Sequence, residues 1–304
     1  MGGLESLEPE ERVLGLLGLS EVQREPERNR MLLKQGEIEK LERIAKRMRY
    51  ECFKMMAKAK AGHVGGSLSI IEILTVLYFK VMNRRDKFVL SKGHASPALY
   101  PILAELGYFP KEWLEHFCED GWPLTRHAHR RIVPGIEVSA GALGQGFSMA
   151  AGMALEKKIL KESGIIYCLL GDGECMEGQV YEAALFARAQ KLGNLVAIVD
   201  NNRITLDDFR SKIMADMDLN KIWGGCQWKV FNCNGHSIPE LVSVFKKCNC
   251  VNDTPKAIIA HTIKGKCGVP EIENNPKWHH WNKKAPRKLI EDTLEKLKKE
   301  AEDE

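Results

Sequence analysis

The sequence predicts an α/β fold whose parallel strands are buried on both faces. Three observations carry this. Ile165 to Leu170 is a continuous apolar run bounded by glycines. Gln179 to Leu192 has helical spacing, with Val180, Ala183, Ala184, Ala187 and Leu192 on one side. Leu195 to Val199 is a second apolar, β-branched run. Strand, helix and strand within about 35 residues form a βαβ unit, so the two strands should be parallel and covered on both sides.

The remaining elements follow in chain order. Residues 1–36 are rich in Glu, Arg, Pro and Gly and read as a loosely held extension, or as a docking segment through Leu14, Leu16, Leu17 and Leu19. The main domain is residues 37–304. From Glu37 a helical period runs through Ile38, Leu41, Ala45, Met48, Cys52 and Met55, ending near Gly62. Ile70 to Val81 is a second helix by length, and Phe88-Val89-Leu90 is a short buried strand. Residues 141–160 begin with Gly141, Gly144 and Gly146 and become Ala/Met-rich, as suits a helix packed closely on a sheet or on another chain. A further strand is read at Ala257 to Ala260, and Ile290, Leu294 and Leu297 mark an amphipathic C-terminal helix.

Composition narrows the classes. The 45 basic and 41 acidic side chains leave a net charge of +4, close to balance for 304 residues. That gives no argument for nucleic acid or an anionic membrane as a partner. No apolar run approaches the ~18 residues of a membrane span, and the early segment is acidic where a secretory signal is basic. The nine cysteines form no CxxC pair and have no zinc-ligand spacing, which predicts reduced structural thiols in a cytoplasmic protein.

The chemistry lies at the ends of two strands. The first runs into Gly171-Asp172-Gly173 and the second into Asp200-Asn201-Asn202-Arg203-Ile204. Ligands of parallel sheets bind beyond the carboxyl ends of strands, and neighbouring strands lie ~4.8 Å apart, so Asp172 and Asn202 can reach one cation. A carboxylate and an amide oxygen are hard ligands that suit Mg²⁺ or Ca²⁺. Mg²⁺ commonly completes its shell from phosphates, and Gly171 and Gly173 let backbone approach a diphosphate. The helix beginning near Gly178 is a candidate source of further N–H groups.

These motifs resemble the transketolase family of thiamine-diphosphate enzymes. Gly62-His63-Val64-Gly65-Gly66-Ser67 is similar to the family's SGHPG segment, and Phe88 to His94 to its FVLSxGH. Pro134-Gly135-Ile136-Glu137 with Gly141-Ala142-Leu143-Gly144-Gln145-Gly146 is similar to PGxE…TGxLGQG. Gly171 to Gly178 (GDGECMEG) matches almost letter for letter. Lys264-Gly265-Lys266 and the segment Glu273 to His279 resemble the tail of split-chain members. The likeness spans roughly residues 37–285.

The resemblance implies a doubly wound parallel sheet with helices on both faces, the diphosphate-binding domain. It implies thiamine diphosphate with Mg²⁺ (or Ca²⁺ or Mn²⁺) held by Asp172, Asn202 and the carbonyl of Ile204. Gly173, Asn202, His94 and His279 would contact the cofactor's diphosphate, with Gly141 and Leu143 against its rings. His63, His127 and His279 would meet sugar hydroxyls. His63, His94 and His279 would serve catalysis, because imidazole suits proton movement near pH 7. Glu177 would bond across a subunit interface. The family's Trp-His-Gly reads Trp278-His279-His280 here, so either histidine is a candidate. Asp208 stands where Gly often follows Asp207, and the region after His279 (His280-Trp281-Asn282-Lys283-Lys284) is bulkier and more basic than the usual Gly.

By the same resemblance, the pyrimidine-binding half is expected on a second polypeptide. That predicts the N-terminal subunit of a split transketolase, forming a heterotetramer with a C-terminal, pyrimidine-domain subunit. It would move a two-carbon ketol unit between sugar phosphates. A ketolase for an unusual sugar and a non-catalytic remnant remain the alternatives.

Overall fold

The computed structural model describes residues 34–303 apart from 207, 215–216 and 250–251. Nearly all of the expected extension 1–36, with Asp207 and Cys250, lies outside the described residues.

Helix α1 (Gln35–Ala59) buries Leu41, Ile44, Ala45, Met48, Cys52 and Met55. The Lys34 N–H donates to the Glu37 carboxylate at 3.1 Å and opens the helix. It ends before Gly62 because Lys60 takes the left-handed C-cap conformation (φ 49°). Helices α2 (Val64–Leu68) and α3 (Ile71–Val76) follow. The expected helix 70–81 keeps its apolar length but passes into a π-type turn over Leu77–Val81. Next come β1 (Lys87–Leu90), α4 (Ser96–Glu105), α5 (Gln145–Ile159), β2 (Ile166–Gly171), α6 (Gly178–Ala189) and β3 (Leu195–Asn201). A short ribbon, β4 (Ile204–Thr205) with β5 (Asp208–Phe209), precedes α7 (Arg210–Ile213), α8 (Leu219–Gly225) and β6 (Lys229–Asn234). Then α9 (Ile238–Cys248), β7 (Lys256–His261) and α10 (Arg287–Glu302) close the domain.

The five main strands are all parallel, in the order β1-β2-β3-β7-β6. Their side chains alternate between two separate cores. On β2, Tyr167 and Leu169 join the core of α1, α3, α4 and α9, whereas Ile166, Cys168 and Leu170 join that of α5, α6 and α8. On β3, Val196 and Ile198 alternate in the same way with Leu195, Ala197 and Val199. The helices therefore cover both faces. Connectivity explains the division. The chain advances from β2 to β3 through α6, then returns from the edge strand β6 to β7 through α9. Right-handed crossovers in opposite directions must put their helices on opposite faces.

The sequence pattern does not reveal β6. It is an edge strand with exposed Lys229, Asn232 and Asn234, so it lacks the unbroken apolar run of the inner strands. No helix among the described residues is long and apolar enough to cross a membrane. The eight described cysteines are free thiols, and all but Cys118 and Cys226 are buried.

Candidate active site

The carboxyl ends of β1, β2 and β3 open into a cleft of about 770 Å³, counting the part open to solvent. Each strand delivers a loop to it: Lys92 and His94 from β1, Gly171 to Glu174 from β2, and Asn202 with Ile204 to Leu206 from β3. Register makes this possible. Gly171 pairs with Asp200, so Asp172 is carried past the sheet beside the turn holding Asn202.

Asp200 is the hub beneath the cleft. It is fully buried and accepts hydrogen bonds from Lys92 Nζ, Ser69 Oγ (2.7 Å), Thr262 Oγ1 and Asn202 Nδ2 (2.9 Å). Burial pushes its carboxyl up, but the Lys92 ammonium and these bonds outweigh burial and hold it low. One carboxylate thus ties four chain segments together and aims Asn202. Glu174 does the same for the neighbouring loops. Buried, it accepts from Ser91 Oγ and from the N–H groups of Gly144 (2.8 Å) and Gly171 (3.1 Å). Gly144, at φ 82°, ends the loop carrying Gly141 and Leu143 into the cleft. Gly93 is required by close approach, since a Cβ there would sit 1.8 Å from the Ala140 carbonyl oxygen.

Asp172 is 2% exposed and accepts from the N–H groups of Gly173 (3.0 Å) and Arg203 (2.8 Å) and from the Arg210 guanidinium (3.3 Å). Burial and then the charge of Asp200 push its carboxyl up to about 6, against the pull of Arg210. Asp172 and Asp200 are both buried with one cationic partner each, Arg210 and Lys92, and the upward push that remains on Asp172 is what a divalent cation would relieve. Asn202 Oδ1 accepts the Ile204 N–H (3.1 Å), which folds the turn, and the Ile204 carbonyl meets the ammonium of Lys264 at 2.8 Å. A carboxylate, an amide and a carbonyl already engaged by a cation make a hard oxygen set that suits Mg²⁺ or Ca²⁺. Lys92 and Lys264 supply positive charge for a diphosphate beside it, and a Cβ on Gly173 would strike Thr205 Oγ1 at 2.3 Å. The residues present fit a metal-held diphosphate.

Five imidazoles line the same cleft: His63, His94, His127, His279 and His280. His63 is central, with ring centroids 5.2 Å from His94, 5.5 Å from His127 and from His279, and 4.3 Å from His280. Burial first, then the charges of His280 and His127, lower His63 to about 3. Burial and the neighbouring Lys264 lower His279 to about 3, and its Nδ1 lies 3.0 Å from Lys264 Nζ. Burial, followed by Lys92, holds His94 well below its usual range, and burial with Arg126 lowers His127. At neutral pH the rings of His63, His94, His127 and His279 are therefore unprotonated. They can take a proton from a hydroxyl or share one in a hydrogen bond. Negative charge brought beside them shifts them back upward.

Every residue read from sequence as catalytic, substrate-binding, cofactor-binding or metal-binding lines this one cleft. Glu177 does not; it is exposed at the start of α6, with its Cβ near Gly144. Gly178 is not among the lining residues either, because a 3-10 turn over Glu174–Met176 intervenes. His279 and His280 both line the cleft, the first buried and the second exposed; His129 is not among its lining residues. Sequence reasoning missed Lys92, Glu174, Asp200 and Lys264. Each lies inside one of the recognised motifs, and a charge placed directly after or within an apolar strand end was the available signal.

The family described as "Transketolase, thiamine diphosphate binding domain" matches residues 40–299. One of the subunits of the apulose-4-phosphate transketolase of Phocaeicola vulgatus is 38% identical over 278 residues, covering 87% of this chain and 98% of its own. A 6-deoxy-6-sulfo-D-fructose transketolase subunit of a Clostridium species is 41% identical over 220 residues, covering 69% of this chain and 80% of its own. The crystal structure of a transketolase from Campylobacter jejuni superposes with a TM-score of 0.78 at 30% identity. That match covers 86% of this chain but only 42% of the longer one, so the chain spans less than half of that protein.

Proposed function

The chain belongs to the transketolase family through its thiamine diphosphate binding domain, and from that premise we propose that it is the diphosphate-binding subunit of a two-subunit transketolase. The observation that carries this reading is the single cleft shared by Asp172, Asn202, Ile204 and the imidazoles. When bound, thiamine diphosphate supplies an electron sink for the carbanion of a two-carbon ketol unit. Asp172, Asn202 and the Ile204 carbonyl hold Mg²⁺, with Ca²⁺ or Mn²⁺ as substitutes of similar hardness. Gly173, Asn202, His94 and His279, with Lys92 and Lys264, hold the diphosphate end. Gly141 and Leu143, which line the same cleft, would lie against the cofactor's rings.

His63, His127 and His279 orient the sugar hydroxyls. As neutral rings they accept a hydroxyl proton while the C–C bond breaks and return it when the new bond forms. The donor is a ketose phosphate and the acceptor an aldose phosphate. The name of the sulfo-fructose relative supports a second reading, a ketolase for another anionic sugar, and the basic segment Trp281 to Lys284 suits a charged acceptor.

The partner supplies the pyrimidine-binding half, in a heterotetramer. Two features support a partner. The relatives of matching length are named as subunits. Leu206, Phe209, Ile213 and Met214 are exposed just beyond the Asn202 turn, as is Met149 on α5. Glu177, exposed at the head of α6, belongs to that interface in this reading.

The test is reconstitution. Purified chain mixed with a pyrimidine-domain subunit should bind thiamine diphosphate in a Mg²⁺-dependent way and transfer ketol units, and Asp172→Ala should abolish both. Ketol transfer by this chain alone would overturn the two-subunit reading. No cofactor binding by the mixture would point to a non-catalytic remnant.

A further inference from the structure

We propose that His63, His279 and His280 form a binding site for a transition-metal dication such as Zn²⁺, separate from the hard oxygen site at Asp172. One nitrogen from each ring lies within 4.8 Å of the other two. Neutral imidazole is the ligand of zinc, nickel and copper and a poor one for Mg²⁺ or Ca²⁺. Zinc–nitrogen bonds of ~2.0–2.1 Å need the rings drawn somewhat closer, which small side-chain rotations supply.

A second observation points to a ligand. His63 is 7% exposed, and its Nδ1 is buried with no hydrogen-bond partner. A buried imidazole nitrogen without a partner is costly, and coordination through that Nδ1 would satisfy it. Burial keeps His63 and His279 unprotonated, so no proton has to be displaced from them at neutral pH. The protons also balance at His279. Nδ1 faces Lys264, so coordination through Nε2 moves the ring proton from Nε2 to Nδ1. Lys264 then gives up that contact and keeps its bond to the Ile204 carbonyl. The third ring is His280, which follows His279 directly in the chain and lines the same cleft. Three nitrogens leave one position open for water or a substrate oxygen.

A metal there would stand among the rings that meet the sugar and block ketol transfer. That consequence rests on the transketolase reading; the binding itself does not. The experiment is calorimetric titration of the whole purified chain with zinc chloride, in excess Mg²⁺ and with thiols alkylated. One zinc per chain is expected. His280→Ala, at an exposed position that spares folding, should weaken binding by at least about tenfold, the loss that even outer-shell partners cause. His63→Ala should do the same, and Asp172→Asn should leave zinc affinity unchanged. The proposal fails if no zinc binds, if His280→Ala binds as tightly as the parent, or if affinity follows Asp172 instead.

Discussion

Replacing Lys92 with methionine isolates the charge that holds the cleft together. Lys92 is 1% exposed, and its ammonium meets Asp200 and the Gly66 carbonyl (2.9 Å). Methionine preserves the length of the side chain and removes the charge. The Asp200 carboxylate is then left fully buried with three neutral donors, Ser69, Thr262 and Asn202. Breaking a buried pair in this way costs ~3–5 kcal/mol, and the surviving donors place this case near ~3 kcal/mol. With a typical urea dependence of ~2 kcal/mol per molar, the midpoint should fall by roughly 1–1.5 M. Asp200→Asn should cost a similar amount, because it strands the ammonium instead. The double variant should be less destabilised than the sum by ~2 kcal/mol, since no lone charge remains. Urea denaturation of the four proteins, followed by circular dichroism, measures each quantity. A loss below ~1 kcal/mol in Lys92→Met, or strict additivity in the pair, would refute the idea that this charge pair organises the site.

Three further outcomes follow from the same structure. His63 and His279 have values of about 3 when folded against an ordinary 6.5, so the unfolded chain binds more protons between those limits and stability falls as pH drops below 6.5. Asp172, raised to about 6, opposes them, so the net loss between pH 7.5 and 5.5 is ~2 kcal/mol; melting temperatures that stay level or rise over that range would contradict it. Gly93→Ala drives a methyl group into the Ala140 carbonyl and should cost more than ~3 kcal/mol, so a melting temperature lowered by less than about 2 °C would disprove the close approach. With a thiol reagent, half-buried Cys118 and Cys226 should react in the folded protein, while Cys168 and Cys175, buried and pushed up, should react only in denaturant; rapid labelling of either would count against the packing of the second core.

Some of this protein is written locally. Runs such as Ile165 to Leu170 and Leu195 to Val199 can be read as buried parallel strands because burial on both faces removes polar alternation. Asp172 and Asn202 could be placed together because both lie at the ends of such strands, and strand pairing brings the ends side by side. The edge strand β6 escaped because exposure restores polar residues and erases the signal. What the tertiary structure alone decided is electrostatic. Lys92 and Asp200 are 108 positions apart, and only the order β1-β2-β3 with its loops makes them partners. No residue's neighbours in sequence state that five imidazoles share one cleft, or that burial there keeps His63, His94, His127 and His279 neutral. Side-chain type is a local property; charge state depends on solvent exclusion and on every other charge nearby, and those exist only once the chain has folded.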